Sequence, residues 1–159
     1  MISTRSSINV PLAFAVVLAL LLPSLCSAAP PDFVPGGWKR DDASSDKSSV
    51  QFRSPDGHAA LTMRDLVASA GPPSAVIQSR PGEMVTYRTR SQNWWVLSGY
   101  RGQDIFYRRA AFACGHRRIH VIELVYPRSE KRRFDPTVTT VSHRLGRFRD
   151  ICPKDAASR

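Results

Sequence analysis

The chain has 159 residues, 42% of them apolar and 23% charged, which bounds it to one packed domain with short appendages and excludes wholesale disorder. Its 9 Gly, 12 Pro and single long apolar run exclude collagen-like, coiled-coil and multi-span membrane classes. Lys and Arg number 23 against 13 Asp and Glu, a net charge of +10, so any charge-driven partner is acidic.

Arg5 is the only charged side chain before Asp32, and Leu12 to Leu22 is an unbroken run of eleven apolar residues between Pro11 and Pro23. About 20 such residues are needed to span a bilayer. The run instead fits the hydrophobic region of a secretory signal covering residues 1–29, with a small-residue stretch and cleavage near Ala28 or Ala29. Export implies a secreted or periplasmic mature protein. Removal of the signal takes Cys26 with it and leaves Cys114 and Cys152. Two thiols in an oxidising compartment predict one disulfide between them, worth roughly 4 kcal/mol in chain entropy.

Residues 30–49 are rich in Pro, Gly, Ser and Asp and read as a flexible leader, with Trp38 as a docking point on the body. The folded domain is expected over 50–152, followed by a disordered tail at 153–159. Val50 to Ser54 is a short strand candidate, and Ser54-Pro55-Asp56-Gly57 is a strong turn signal. His58 to Leu66 returns as a second strand. Val67 to Gln78, interrupted by Gly71-Pro72-Pro73, reads as a loop with one short helix. Four runs follow at Glu83–Arg90, Trp94–Tyr100, Ile105–Cys114 and Ile119–Tyr126, separated by turn-length segments. Such spacing predicts antiparallel neighbours, hence a meander sheet of about five to six strands and an α+β class. Asp135 and Pro136 suit the start of a helix. Val138, Val141, Leu145 and Phe148 then recur at helical spacing and would pack that helix on the sheet.

The run from Trp94 to Arg109, together with Glu123 to Pro127, Glu130-Lys131, Phe134-Asp135-Pro136 and the turn at Ser54 to Gly57, resembles small secreted bacterial domains of the PsbP-like α/β/α sandwich, over roughly residues 50–149. The segment between the second and third strand candidates departs from that pattern, being short and Pro-interrupted where the fold carries a second helical layer. The resemblance implies a non-catalytic binding or assembly module and supplies no site residues.

Residues 30–79 carry 5 basic and 6 acidic side chains, whereas 80–159 carry 17 and 7; Arg supplies 19 of the 23 basic residues. Walker A, GxGxxG, HExxH, EF-hand, GxSxG, zinc-finger and RNP patterns are absent from the sequence. No catalytic, cofactor-binding or metal residue is therefore assigned, and nucleic acid is not an expected partner. His116 and His120, with Cys114 nearby, fall at a turn and a strand start rather than on one helix face. Glu123 is the oddest residue, a carboxylate amid Ile119, Val121 and Val125; it is expected to pair with a strand arginine such as Arg109. Trp94, Tyr100, Arg101 and Arg108 suggest a partner platform of aromatic and cationic groups. The leading expectation is an exported binding module for a protein or anionic envelope component. The alternative is a cationic surface protein that binds anionic envelope polymer or lipid, with peripheral membrane contact; a hydrolase using Glu123 or His120 is the remote third.

Overall fold

The computed structural model describes residues 34–46, 49–68 and 77–147. The signal segment, Phe148, Cys152 and the tail at 153–159 lie outside the described residues, as does the partner half of the predicted disulfide. Cys114 itself is buried at the end of a strand.

Seven strands form one fully antiparallel sheet: β1 (Lys39–Arg40), β2 (Ser49–Arg53), β3 (Ala60–Val67), β4 (Glu83–Arg90), β5 (Trp94–Arg101), β6 (Asp104–Ala113) and β7 (Arg118–Pro127), in the spatial order β1-β2-β3-β7-β6-β5-β4. The expected meander is present as two meanders, β1–β3 and β4–β7, joined where β3 pairs with β7. The seventh strand comes from the predicted leader. Lys39 and Arg40 pair with Arg53 and Phe52, and Trp38 packs edge-on against Phe134 at 6.5 Å. That docking holds a segment whose own composition favours no regular structure.

Alternation along the strands divides the core in two. One face carries Leu61, Ile105, Ala111, Ile122, Leu124 and Tyr126 and is covered by α1 (Lys131–Leu145) through Phe134, Val141 and Leu145. The opposite face carries Leu97, Phe106, Ala110, Phe112, Ile119 and Val121, with Ile77 lying on it. The helix begins five residues before the expected Pro136, and Asp135 is not its cap. Asp135 accepts hydrogen bonds from Lys131 Nζ at 2.6 Å and Tyr126 Oη at 3.3 Å. Phe134, only 4% exposed, extends the apolar stripe Val138, Val141, Leu145 by one turn toward the N-terminus. Burial of that ring against Trp38 and Tyr126 outweighs the helix-breaking tendency of Pro136.

Gly99 fixes the outer strand. A Cβ there would overlap the carbonyl oxygen of Met84 on β4, and the β4–β5 register shifts between Val85 and Tyr87, leaving Thr86 as the extra residue of a bulge. Gly99→Ala is therefore expected to cost more than about 2 kcal/mol and to strip hydrogen-exchange protection from β4 while β6 and β7 keep theirs. Unaltered β4 protection in the variant would contradict this reading of the bulge.

Candidate functional site: a buried ion cluster and an open groove

Glu123 is paired, as expected, but with Arg108 rather than Arg109. Arg108 stands directly opposite Glu123 in the β6–β7 register, whereas Arg109 stands opposite Ile122 and belongs to the other face. Arg108 is 1% exposed. Its Nε and Nη2 donate to the two oxygens of Glu123 at 3.1 Å each, its Nη2 also donates to Glu83 at 2.8 Å, and its Nη1 donates to the Gln78 carbonyl at 2.8 Å. Arg101 Nη2 bridges Glu83 and Glu123 at 2.5 and 2.8 Å. Arg80 closes the set at 2.8 Å from Glu123. Phe106 forms the floor, with the Arg108 and Arg101 guanidiniums 5.3 and 5.9 Å from its ring centre.

Sequence reasoning missed Glu83, although a local signal exists. Arg80-Pro81-Gly82-Glu83 is a turn with Pro second and Gly third, Gly82 at φ +79° and the Glu83 amide donating to the Arg80 carbonyl at 3.1 Å. The turn brings both end side chains into the cluster, where the Arg80 amide also donates to Glu83 at 2.9 Å. Burial opposes ionisation of Glu83, but hydrogen bonds from Arg108 and Arg101 outweigh it and hold the carboxyl at about 2 against an ordinary 4.5. Glu123 is likewise pushed up by burial and pulled down further by Arg108, ending below its ordinary value. Every oxygen is occupied by guanidinium, so this is a structural cluster with no proton to trade at neutral pH.

The expected platform divides between the two faces. Arg101 and Arg108 lie in the buried cluster, while Trp94 and Tyr100 lie on the helix-bearing face. Two other arginines take the aromatic places. The Arg109 guanidinium sits 5.1 Å from the Trp94 ring centre, and that of Arg128 sits 4.0 Å from the Tyr100 ring centre. Neither has a carboxylate partner among the described residues. Arg109 is held by the Ser142 carbonyl at 2.8 Å and by Ser142 Oγ, which also accepts from Tyr107 Oη at 2.9 Å; its Nε is buried without a hydrogen-bond partner. The helix covers β6 and β7 but leaves β5 and β4 open, forming a groove of about 330 Å³ lined by Tyr87, Trp94, Tyr107, Arg109, Val138 and His143. Trp94 and Tyr100 lie six residues apart on one strand, so the strip between the two arginine–aromatic pairs runs about 20 Å, matching the roughly 22 Å length of the 15-residue helix beside it.

The histidines do not converge. His116 faces Asn93 at 3.4 Å, while His120 faces Asp65 at 3.5 Å. His120 and Glu123, three apart on β7, point to opposite faces. Among the described residues, the one group with metal-type spacing is Asp56, His58 and Glu130, with ligand atoms within 4.8 Å of one another. Arg133 bonds both carboxylates there, so a cation already stands in their midst. A second cleft of about 700 Å³ lies on the opposite face beside Arg88, Arg90 and Trp95, adjoining residues outside those described. No helix of the described residues is long and apolar enough to cross a membrane. No protein-family model and no curated protein matches the chain.

The cluster makes stability pH-dependent with a definite sign. A carboxyl at about 2 when folded and 4.5 when unfolded contributes its full stabilisation above 4.5. That contribution, on the order of 3 kcal/mol, is lost as pH falls from 4.5 toward 2. Urea midpoints measured at pH 7, 5 and 3 should therefore be similar at the first two values and drop sharply at the third; a Glu83→Gln variant should be less stable at pH 7 and show a shallower drop. An equal drop in both proteins would contradict the assignment.

Proposed function

We propose that the mature protein is an exported, non-catalytic binding module, and that its ligand is an elongated anion lying in the groove between α1 and β4. The observation that carries this reading is the pair of arginines, Arg109 and Arg128, each seated on an aromatic ring of the open strip and without a carboxylate partner among the described residues. Stacking on a ring pre-organises a guanidinium for carboxylate, phosphate or sulfate; Arg109 is further fixed by Ser142 through its Nη1, which leaves its Nη2 to meet a ligand. His143 and Ser142 add polar groups along the helix wall. Export rests on the apolar run at Leu12–Leu22, and the Cys114–Cys152 disulfide would suit the compartment to which that run directs the chain. The single antiparallel sheet under a C-terminal helix is compatible with one half of a PsbP-like sandwich, whose members act as binding modules.

A second reading, a cationic surface for anionic envelope polymer or lipid, is favoured by the net charge and by exposed Arg88 and Arg90 on the opposite face. The two readings differ in which arginines matter. Short-chain polyphosphate titrated against the mature protein, followed by the Trp94 indole resonance, should bind in the groove. Arg109→Gln with Arg128→Gln should weaken it by roughly tenfold or more in a variant that still unfolds cooperatively, and Arg128→Gln alone should weaken it without lowering the melting temperature. Equal affinity in that variant, or an equal loss from Arg88→Gln with Arg90→Gln, would favour the diffuse surface and overturn the groove.

A further inference from the structure

The two edges of the sheet are unequal. At one end, β1 is two residues long and carries only Lys39 and Arg40, a short charged edge that resists further pairing. At the other end, β4 is eight residues long, and among the described residues no strand pairs with its outer side. Past the bulge at Thr86, Tyr87 to Arg90 pair regularly with β5 on one side, and no described strand takes their outward backbone groups. Of the three exposed large apolar side chains among the described residues, two are on this strand, Met84 at 59% and Tyr87 at 55%. The ionic groups open to solvent on it are Arg88 and Arg90, neither with a carboxylate partner among the described residues; its one acid, Glu83, is sealed in the buried cluster.

We infer that β4 is a strand-addition edge for an extended acidic peptide, which pairs with Tyr87–Arg90 and lays alternate side chains to either side of the sheet. Residues of the added strand on one phase would enter the groove toward Arg109 and Trp94, and those on the other would meet Arg88 and Arg90. Main-chain hydrogen bonds to the edge supply affinity, and the arginines on both sides select for acid. A second copy of this chain is disfavoured as the occupant, because antiparallel pairing of two β4 strands would bring four arginines together with no exposed acid between them. The inference rests on the proposed groove for the acid preference of one phase only.

The test uses the full mature protein and an eight-residue fluorescent peptide of Glu with Thr or Val, ordered so that both strand phases carry Glu, read by anisotropy, with a Lys-for-Glu counterpart. Two further peptides carry backbone N-methyl groups on the odd or on the even residues. A strand partner donates from alternate amides, so one methylated phase should lose roughly tenfold or more in affinity and the other should keep most of it. The Lys peptide should not bind, and Arg88→Gln with Arg90→Gln should weaken the acidic one. Equal binding by both methylated phases overturns the inference, as does absence of acidic-peptide binding or a concentration-dependent dimer that blocks the peptide. If polyphosphate still requires Arg109 in those cases, the groove survives without the edge. Phase-dependent peptide binding that ignores Arg109 and Arg128 would support the edge and remove the groove.

Discussion

A guanidinium buried to 1% exposure between two carboxylates is the constraint on which the rest of this molecule depends. Arg108 draws Glu123 from β7, Glu83 from β4 and the Gln78 carbonyl from the preceding loop to one point, with Arg101 bridging the acids from β5. An unpaired charge in that place would be costly; with every lone pair occupied, the cluster instead specifies register. A one-residue slip of β6 would set Tyr107 or Arg109 opposite Glu123 and turn Phe106, Ala110 and Phe112 out of their apolar cluster to the other face. The cluster thereby ties the outermost strand to the sheet centre through polar bonds, in a region where the helix gives no cover.

The same alternation distributes the arginines between an ion-paired set and a ring-stacked set. On the face away from the helix, Arg80, Arg101 and Arg108 are neutralised by Glu83 and Glu123, while Arg88 and Arg90 stand exposed at the β4 edge. On the helix-bearing face, Arg109 and Arg128 rest on Trp94 and Tyr100 with no carboxylate partner among the described residues, and Arg109 is tied to the helix through Ser142. Net basicity therefore says little by itself. The informative quantity is where a cation sits relative to the internal acids: among the described residues Arg109 and Arg128 at the groove and Arg88 and Arg90 on β4 have no carboxylate partner. An extended ligand suits both features, since the groove runs beside an open strand.

Much of this was legible in the residues. Turn-length gaps and period-two alternation from Glu83 to Tyr126 correspond to β4 through β7, and Val138, Val141 and Leu145 do form the inner stripe of a helix. Glu123 stood out because a carboxylate among aliphatic neighbours demands a partner. The identity of that partner turned on a phase difference of one residue between Arg108 and Arg109, which depends on the β6–β7 register and not on local composition. Glu83 lies forty residues from Glu123, and the platform residues were grouped without their alternation. The two-residue β1 owes its existence to Trp38 meeting Phe134 across the fold, a tertiary contact without local trace, whereas the early start of α1 was legible in Phe134, which precedes Val138, Val141 and Leu145 at helical spacing.

The most direct test is the coupling energy between Arg108 and Glu123. Urea unfolding of Arg108→Met, Glu123→Leu and the double variant at pH 7 forms the cycle. If the buried pair sets the register, each single change should cost about 3–5 kcal/mol, and the double should cost at least about 2 kcal/mol less than their sum. Additive losses would mean that the two side chains are independent packing elements, and the division of arginines into ion-paired and ring-stacked groups would lose its physical basis.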